Sequence, residues 1–570
     1  MLHGAAVLGA AAVVSKLIGT MQKIPLQNMA GDRVFGIYNA VYPLYILILF
    51  LATAGFPLVV SKFVSEQAAL GQHDEARRVL TVSSVILAVS GLLFFLLLYF
   101  GADGIAVLMG AGQTGPAIRS VSFALLLVPF MSALRGYYQG YQNMVPTAVS
   151  QVIEQSVRVA TMFVLLVLLM RWGYGPEWIA AGATFGSVTG AVAGLTVMLW
   201  YWQKDRGSRW QSISGNRGKG VELQEEQAQA GVAAISSSSE SSLIKDQEAL
   251  PLARARASYG QLARKLMAYA LPVCLGSIAL PILTLVDSFT IPRQLKSYGL
   301  GEGDALYQFG LYNHGLPLVQ LVAMIASSMS AALVPALAEA HRKGEVKRVR
   351  SVTVLSLRMT WLIGLAASVG MAVLAEPMNV MFYKSTEGSL AMAVLAFTAL
   401  FSTLNIVASS VLQGLGAVKA PALYLLAAAA LKIAANAALV PRWGIDGAAA
   451  AAVAAYALAG GLALAHALRA AGVRPAPGRA VIKPMLATGL MTLGLLAVTR
   501  GLPALLGALG LPVASRGTAV AVSLAGVAFG ALVYALALLR TGAVSAEELE
   551  RVPKLGGKVL RLLHRLRLLR

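Results

Sequence analysis

Val79–Phe100 reads VLTVSSVILAVSGLLFFLLLYF, a run without one charged residue. Wound as a helix at 1.5 Å per residue, it is long enough to cross the roughly 30 Å of hydrocarbon in a bilayer. A membrane strand would instead show about ten residues of alternating character, and this run is continuous. Reading outward from it, the same pattern recurs along the chain. The expected spans are 5 to 22, 37 to 61, 79 to 100, 117 to 134, 147 to 170, 178 to 202, 267 to 290, 308 to 334, 352 to 375, 389 to 412, 420 to 440, 445 to 468, 483 to 500 and 517 to 539, fourteen in all. Lys16 interrupts the first, and the thirteenth is short and glycine-rich.

Composition agrees. Of 570 residues, 57% are hydrophobic and 12% charged, where soluble proteins carry about 25% charged residues. A water-soluble fold is excluded. The net charge of +21, from 46 Lys and Arg against 25 Asp and Glu, would suggest a nucleic-acid partner in a soluble chain, but its distribution argues otherwise. Fourteen spans put both termini on one side. If that side is the cytoplasm, 32 basic residues fall inside, 10 outside and four within spans. Basic excess marks the cytoplasmic face, so a membrane protein with both termini in the cytoplasm is expected, and no nucleic acid. The first 22 residues lack a basic start and carry Lys16 inside the apolar stretch, so they are expected to stay as a helix rather than to be cleaved. Cys274 is the single cysteine, so no intrachain disulfide or cysteine metal cluster is expected.

Internal repetition divides the chain. Glu66, Gly71 and Arg77 recur with the same spacing as Glu339, Gly344 and Arg350, displaced by 273. Gln139-Gly140 and Arg158 recur as Gln413-Gly414 and Lys432, displaced by 274. Two matches whose displacements differ by a single residue indicate a duplication, and six spans per copy give two parallel six-helix bundles related by an axis along the membrane normal. The expected layout is a first bundle over 1–202, a flexible cytoplasmic linker over 203–264, a second bundle over 265–469, two additional transmembrane helices over 470–540 and a basic amphipathic helix over 541–570. In that last segment Leu555, Val559, Leu562, Leu563 and Leu566 alternate with Lys554, Lys558, Arg561 and Arg565, the pattern of a helix lying on an anionic leaflet. The linker holds SGNRGKG at Ser214–Gly220, which lacks the Ser or Thr and the preceding strand of a phosphate loop.

Two bundles around a cavity is the usual build of an alternating-access transporter, with the substrate between the halves. Charges buried in the membrane are costly and face such interiors. On span five, Gln151, Glu154, Gln155 and Arg158 fall on one helical face, with Glu154 and Arg158 placed to pair. They line a cavity or simply tie two helices together. Lys16 lies about 16 Å into span one, near mid-membrane. Lys432 and Asn436 on span eleven, with Asn405, Ser409 and Gln413 on span ten, extend the same lining into the second half. Lys23, Asp287 and His314 are candidates for a gate or for ion coupling: Asp287 answers a basic residue of span one or is a solvated helix end, and His314 precedes Pro317 in a span that proline can bend or is a packed histidine. Lys23 and Arg33 near the outer surface, and Arg358 near the inner, also fit snorkelling to headgroups. Pro57, Pro129, Pro146, Pro272, Pro281, Pro317, Pro335 and Pro421 sit in or at the ends of spans and permit kinks. No catalytic or metal motif is present, so the chain is not expected to be an enzyme and needs no cofactor.

Leu134-Arg135-Gly136-Tyr137-Tyr138-Gln139-Gly140, then Asn143 to Ala148 (NMVPTA) and Ser150 to Gln155 (SQVIEQ), resembles the signature of the stage V sporulation protein B group of polysaccharide-biosynthesis membrane proteins. Lys23-Ile24-Pro25, Asn28 to Gly31 and Tyr38 with Tyr42-Pro43-Leu44 add to it. The resemblance covers spans one to twelve and implies the multidrug/oligosaccharidyl-lipid/polysaccharide (MOP) exporter superfamily, with a MATE-like fold. It further implies a cationic cavity that receives the pyrophosphate and sugar-peptide head of an undecaprenyl-linked cell-wall precursor such as lipid II. Two extra helices would hold the lipid tail. Ser15-Lys16-Leu17-Ile18-Gly19 matches a basic position of lipid II flippases, with Lys in place of Arg; their cavity arginine in helix eight is replaced by Leu311-Tyr312-Asn313-His314-Gly315.

The expected function is therefore a flippase working by alternating access, with Lys16, Arg158 and Lys432 drawing in the pyrophosphate and Glu154 neutralising Arg158 when the cavity is empty. With no nucleotide motif, an ion gradient or the membrane potential must drive it. Alternatives are export of another lipid-linked polysaccharide unit, a cation-coupled drug exporter, which should have an acidic cavity, and a non-transporting scaffold for wall or spore-cortex enzymes.

Overall fold

The computed structural model describes residues 2–53, 55–234, 258–473, 481–510 and 512–543, which are helical with short turns and contain no strand. The first half opens with α1 (Leu2–Met21) and α2 (Lys23–Thr53), and α2 is broken at Gly31, whose φ of 79° and ψ of 173° leave the helical region. Gly55 in the left-handed conformation and Pro57 in the first turn then start α3 (Phe56–Ala69). The chain continues through α4 (His73–Leu108), α5 (Gly115–Ser122), α6 (Val128–Gly140), α7 (Val145–Arg171) and α8 (Pro176–Ala234). The fourth expected span is thus two helices joined through a 3-10 turn at Phe123–Leu126.

The second half holds α9 (Tyr259–Ser297), α10 (Glu302–Tyr312), α11 (Leu316–Arg342), α12 (Val346–Val373), α13 (Ala375–Tyr383), α14 (Ser389–Leu395), α15 (Phe397–Gly414) and α16 (Lys419–Ala470). A break at Gly444 divides α16 between the two spans expected there. The additional pair follows as α17 (Lys483–Ala508) and α18 (Arg516–Arg540). Eleven helical stretches among the described residues are long and apolar enough to cross a membrane; Val7–Ala69 and Lys419–Ala470 each hold two expected spans. With α9 over the span expected at 267 to 290, all fourteen lie on helices. The protein is an all-α, multi-pass membrane protein.

Helix ends repeat at the displacement seen in the sequence. Ala69 and Arg342 close α3 and α11, 273 residues apart, and His73 and Val346 open α4 and α12 at the same distance. Gly140 and Gly414 close α6 and α15, and Val145 and Lys419 open α7 and α16, each pair 274 apart.

Three expectations need adjustment. Pro57, Pro129, Pro146 and Pro317 occupy first turns of helices, where the missing N–H costs nothing, rather than kinking spans from within; Pro335 is inside α11. The short helix α13, with Glu376 and Asn379, was not anticipated. The segment expected as a linker begins as a continuation of α8 to Ala234; residues 235–257, and 544–570 with the expected amphipathic helix, lie outside the described residues.

Apolar packing is continuous through the first half and runs into the second through Leu262, Leu266, Leu306 and Phe309. The seam between α2 and α10 is unusually close. A methyl group at Gly36 would sit on the Leu306 carbonyl, and one at Gly310 on the Asp32 carbonyl. The additional pair packs on the second half through Met491, Leu495 and Tyr534 against Leu374 and Met378, and Tyr534 donates to the Leu362 carbonyl at 2.9 Å.

Candidate functional site

Three polar groupings lie within this apolar frame. The first is on α6 and α7. Glu154 Oε1 accepts from Arg158 Nη2 at 2.6 Å, and Glu154 Oε2 accepts from Arg135 Nη2 at 2.8 Å. Arg135 also donates to Ser150 Oγ at 2.7 Å, and Arg158 Nη1 donates to Gln155 Oε1 at 3.2 Å and Tyr42 Oη at 3.5 Å. Two guanidinium groups share one carboxylate, so the cluster keeps a net positive charge in largely desolvated surroundings. Such a site attracts an anion that can replace or supplement Glu154. Gln151 is half-buried on the same helix.

Aromatic rings face this cluster. Tyr38, Tyr42 and Tyr45 follow one stripe of α2, and the first two stack with centroids 5.6 Å apart. Tyr38 Oη accepts from Gln22 Nε2, in the turn between α1 and α2, at 3.3 Å, while Gly19 of α1 lets the Gln155 side chain approach closely. Among the described residues, Ser15 Oγ, Gln22 Oε1, Tyr45 Oη, Gln155 Nε2 and the Nε atoms of Arg135 and Arg158 are buried without a hydrogen-bond partner. Buried polar atoms are rarely left so, and these can serve a polar ligand.

The second grouping joins α9 to α16. Lys432 Nζ donates to Asp287 Oδ2 at 2.7 Å and to the Leu283 carbonyl at 3.2 Å. Tyr312 Oη donates to Asp287 Oδ2 at 2.9 Å, and Asn436 Nδ2 reaches Thr290 Oγ1 at 2.7 Å. The Lys432 side chain is only 2% exposed. This corrects two expectations: Asp287 answers Lys432 rather than a basic residue of span one, and Lys432 is a neutralised, enclosed cation rather than a free one lining a cavity. Duplication places Lys432 where the first half has Arg158, but the partner acid comes from another helix.

The third spans the seam between halves. His314, in the turn between α10 and α11, places Nε2 2.7 Å from Asp32 Oδ1 on α2 and Nδ1 2.8 Å from Asn379 Oδ1 on α13. Gln27 Nε2 donates to the same Asp32 oxygen at 2.9 Å, and the Tyr383 ring stacks on the imidazole at 3.9 Å. Nearby, Asn28 donates to the Phe382 carbonyl, and the Gln113 N–H donates to Glu302 Oε1 at 2.8 Å.

Of the other candidates, Lys16 is on an exposed side of α1 and Lys23 is buried at the start of α2. Asn405 is buried on α15, where its Oδ1 and Ser409 Oγ lack hydrogen-bond partners among the described residues. Sequence reasoning missed Arg135 and Asp32. Arg135 fell one residue beyond an expected span and was assigned to the loop; Asp32 fell between spans beside Gly31.

Comparison with known proteins follows the same division. The family model for "Polysaccharide biosynthesis protein" matches residues 1–217, and that for "Lipid II flippase MurJ" matches residues 301–515. The "Uncharacterized membrane protein YabM" of Bacillus subtilis is 32% identical over 564 residues, 99% of this chain and 96% of that protein. The chain belongs to the polysaccharide-biosynthesis family. Two further members from the same organism are similar: lipid II flippase MurJ, 28% identical over 79% of each chain, and stage V sporulation protein B, 26% identical over 98% of this chain and 99% of that one. Two solved structures share the fold. An inward-facing MATE transporter of the MOP superfamily has a TM-score of 0.61 at 13% identity, covering 80% of this chain and 94% of that one. Lipid II flippase MurJ in an inward closed conformation has a TM-score of 0.58 at 14% identity, covering 93% of this chain and 98% of that one. Family membership gives the MATE-like frame of paired bundles around which the three groupings are set.

Proposed function

We propose that this protein is a flippase that moves an undecaprenyl-linked cell-wall precursor, lipid II above other glycans, across the bacterial cytoplasmic membrane by alternating access. The observation that carries the reading is the Arg135–Glu154–Arg158 cluster, a buried site with one more cation than anion beside a tyrosine stripe. A pyrophosphate needs paired cations with fixed donors, which guanidinium groups supply, and sugar rings pack on aromatic faces. Glu154 holds the arginines in place until the anion competes for them. Orphaned polar atoms of Ser15, Gln22 and Gln155 offer donors and acceptors to a sugar head. The α17–α18 pair, fixed to the outside of the second half, offers a wall for the lipid tail.

Charge distribution supports a reading with both termini in the cytoplasm and the α2–α10 seam at the outer end of the bundle. An ion gradient or the membrane potential supplies the energy. The basic segment beyond residue 543 fits an anionic leaflet, and wall-synthesis enzymes are its natural neighbours. A second reading, export of another lipid-linked polysaccharide unit, draws on the family model over residues 1–217.

The test is lipid II translocation in proteoliposomes, comparing the native chain with Arg158→Ala, Arg135→Ala and Lys16→Ala variants reconstituted to equal density. Translocation by the native chain that falls at least tenfold in both arginine variants supports the reading. Translocation unchanged in those variants overturns the cationic site, and none by the native chain redirects the substrate to another lipid-linked glycan.

A further inference from the structure

The Asp32–His314 contact fixes a proton count. Asn379 Nδ2 donates to the Glu387 carbonyl at 2.8 Å and to Ser389 Oγ at 3.0 Å, and the Ser389 hydroxyl is itself committed to the Thr386 carbonyl. The amide of Asn379 is therefore oriented, and its Oδ1 faces His314 Nδ1 as an acceptor. Nδ1 must carry a hydrogen. A neutral imidazole has only one, so Nε2 would then be a bare lone pair aimed at a carboxylate oxygen 2.7 Å away. Two acceptors at that separation repel. One further proton has to lie between Nε2 and Oδ1, carried as imidazolium with carboxylate or as imidazole with carboxylic acid. Which atom holds it does not alter the count.

We infer that Asp32 and His314 form a proton-binding site whose ligand, H⁺, holds the two halves together at the α2–α10 end. Every route between the partners crosses the seam: Asp32 is on the first half, and His314, Asn379 and Tyr383 are on the second. The other titratable groups facing the pair are committed. Tyr383 Oη donates to the His314 carbonyl at 3.0 Å, Tyr307 Oη on α10 donates to Glu387 Oε2 at 2.9 Å, and Gln27 contributes a neutral donor. None of them supplies the missing proton, so it comes from the water at that end of the bundle.

When the seam separates, the contact that requires the extra proton is gone, and that proton is free to leave for the water. Closing then takes up one proton and opening returns it to the same water. As pH rises, closure loses up to about tenfold in population per pH unit. The site thus makes closure of the outer end dependent on external protons. This rests on the flippase reading, from which it differs by having a conformational readout that needs no lipid substrate.

The test uses the full chain with Cys274→Ser and spin labels at Trp172→Cys and Trp443→Cys, two exposed positions at that end on opposite halves. Distances are measured in lipid nanodiscs from pH about 6 to about 9. The expected result is a short-distance population that shrinks steeply as pH rises. His314→Gln and Asp32→Asn each replace one partner by an amide, which hydrogen bonds across the seam without an added proton, so both are expected to remain at the short distance throughout. A native chain whose distances do not respond to pH, or variants that respond as the native does, overturns the inference. Should either variant fail to fold, the slope of the native profile still decides it. Lipid II translocation measured on the same samples separates the two readings: a pH-driven shift without translocation fails the flippase alone, and translocation without a shift fails the proton site alone.

Discussion

Lys432 Nζ sits 2.7 Å from Asp287 Oδ2, with Tyr312 Oη completing the carboxylate's shell on the same oxygen. Both charges are inside the protein, and each is the other's compensation. The desolvation of such a pair roughly cancels its attraction, so its loss matters mainly when one partner is left alone.

Lys432→Ala should therefore be strongly destabilising, by about 3–5 kcal/mol, because Asp287 is stranded in an apolar setting. Thermal unfolding in detergent reads this as a lowered Tm. Adding Asp287→Leu to Lys432→Met should recover most of the loss. Recovery of stability without recovery of transport would give the pair a role beyond packing.

Glu154→Gln acts differently, since it removes the anion that Arg135 and Arg158 share. The variant should bind undecaprenyl pyrophosphate more tightly, by about tenfold or roughly 1.4 kcal/mol, and release it more slowly. Equilibrium binding to the purified protein checks the first statement and multiple-turnover translocation the second. Weaker binding would mean that Glu154 positions the arginines rather than competing for them.

Span positions were legible because an uncharged, apolar run of about twenty residues matches the thickness of hydrocarbon and is costly to leave in water; the breaks at Gly31 and Gly444 emerged only in the fold. The site was legible only within one helix. Glu154 and Arg158 are four residues apart and pair as helical geometry requires, whereas Asp287 and Lys432 are 145 apart and meet because α9 packs on α16. Nothing local in the chain announces that neighbourhood. Asp32 was hidden differently: beside Gly31 and Arg33 it reads as a loop between spans, yet the helix resumes after the glycine and buries it. Helix α13, nine residues long, is too short to stand out in a search for apolar runs.

Tyr534→Phe tests how firmly the additional helices are attached. The hydroxyl donates to the Leu362 carbonyl at 2.9 Å in a buried setting. Its removal should cost about 1 kcal/mol, seen as a small fall in Tm, while translocation through the paired bundles continues. A large loss of translocation at unchanged stability would place α18 in the path of the lipid tail.

The seam itself offers the most direct mechanical test. At Gly36 and Gly310 the backbones of α2 and α10 approach until a methyl group would overlap a carbonyl of the other helix. Neither carbonyl belongs to a side chain that can swing away, so the helices must part. Gly36→Ala and Gly310→Ala should each shift the protein toward the state open at that end, and the labelled positions should lie at the long distance even at pH about 6, where the native seam is closed. The Asp32–His314 contact would then be pulled apart without being altered chemically. If either variant keeps the short distance and the native pH response, the backbone approach is not what sets closure, and the polar contact alone carries it.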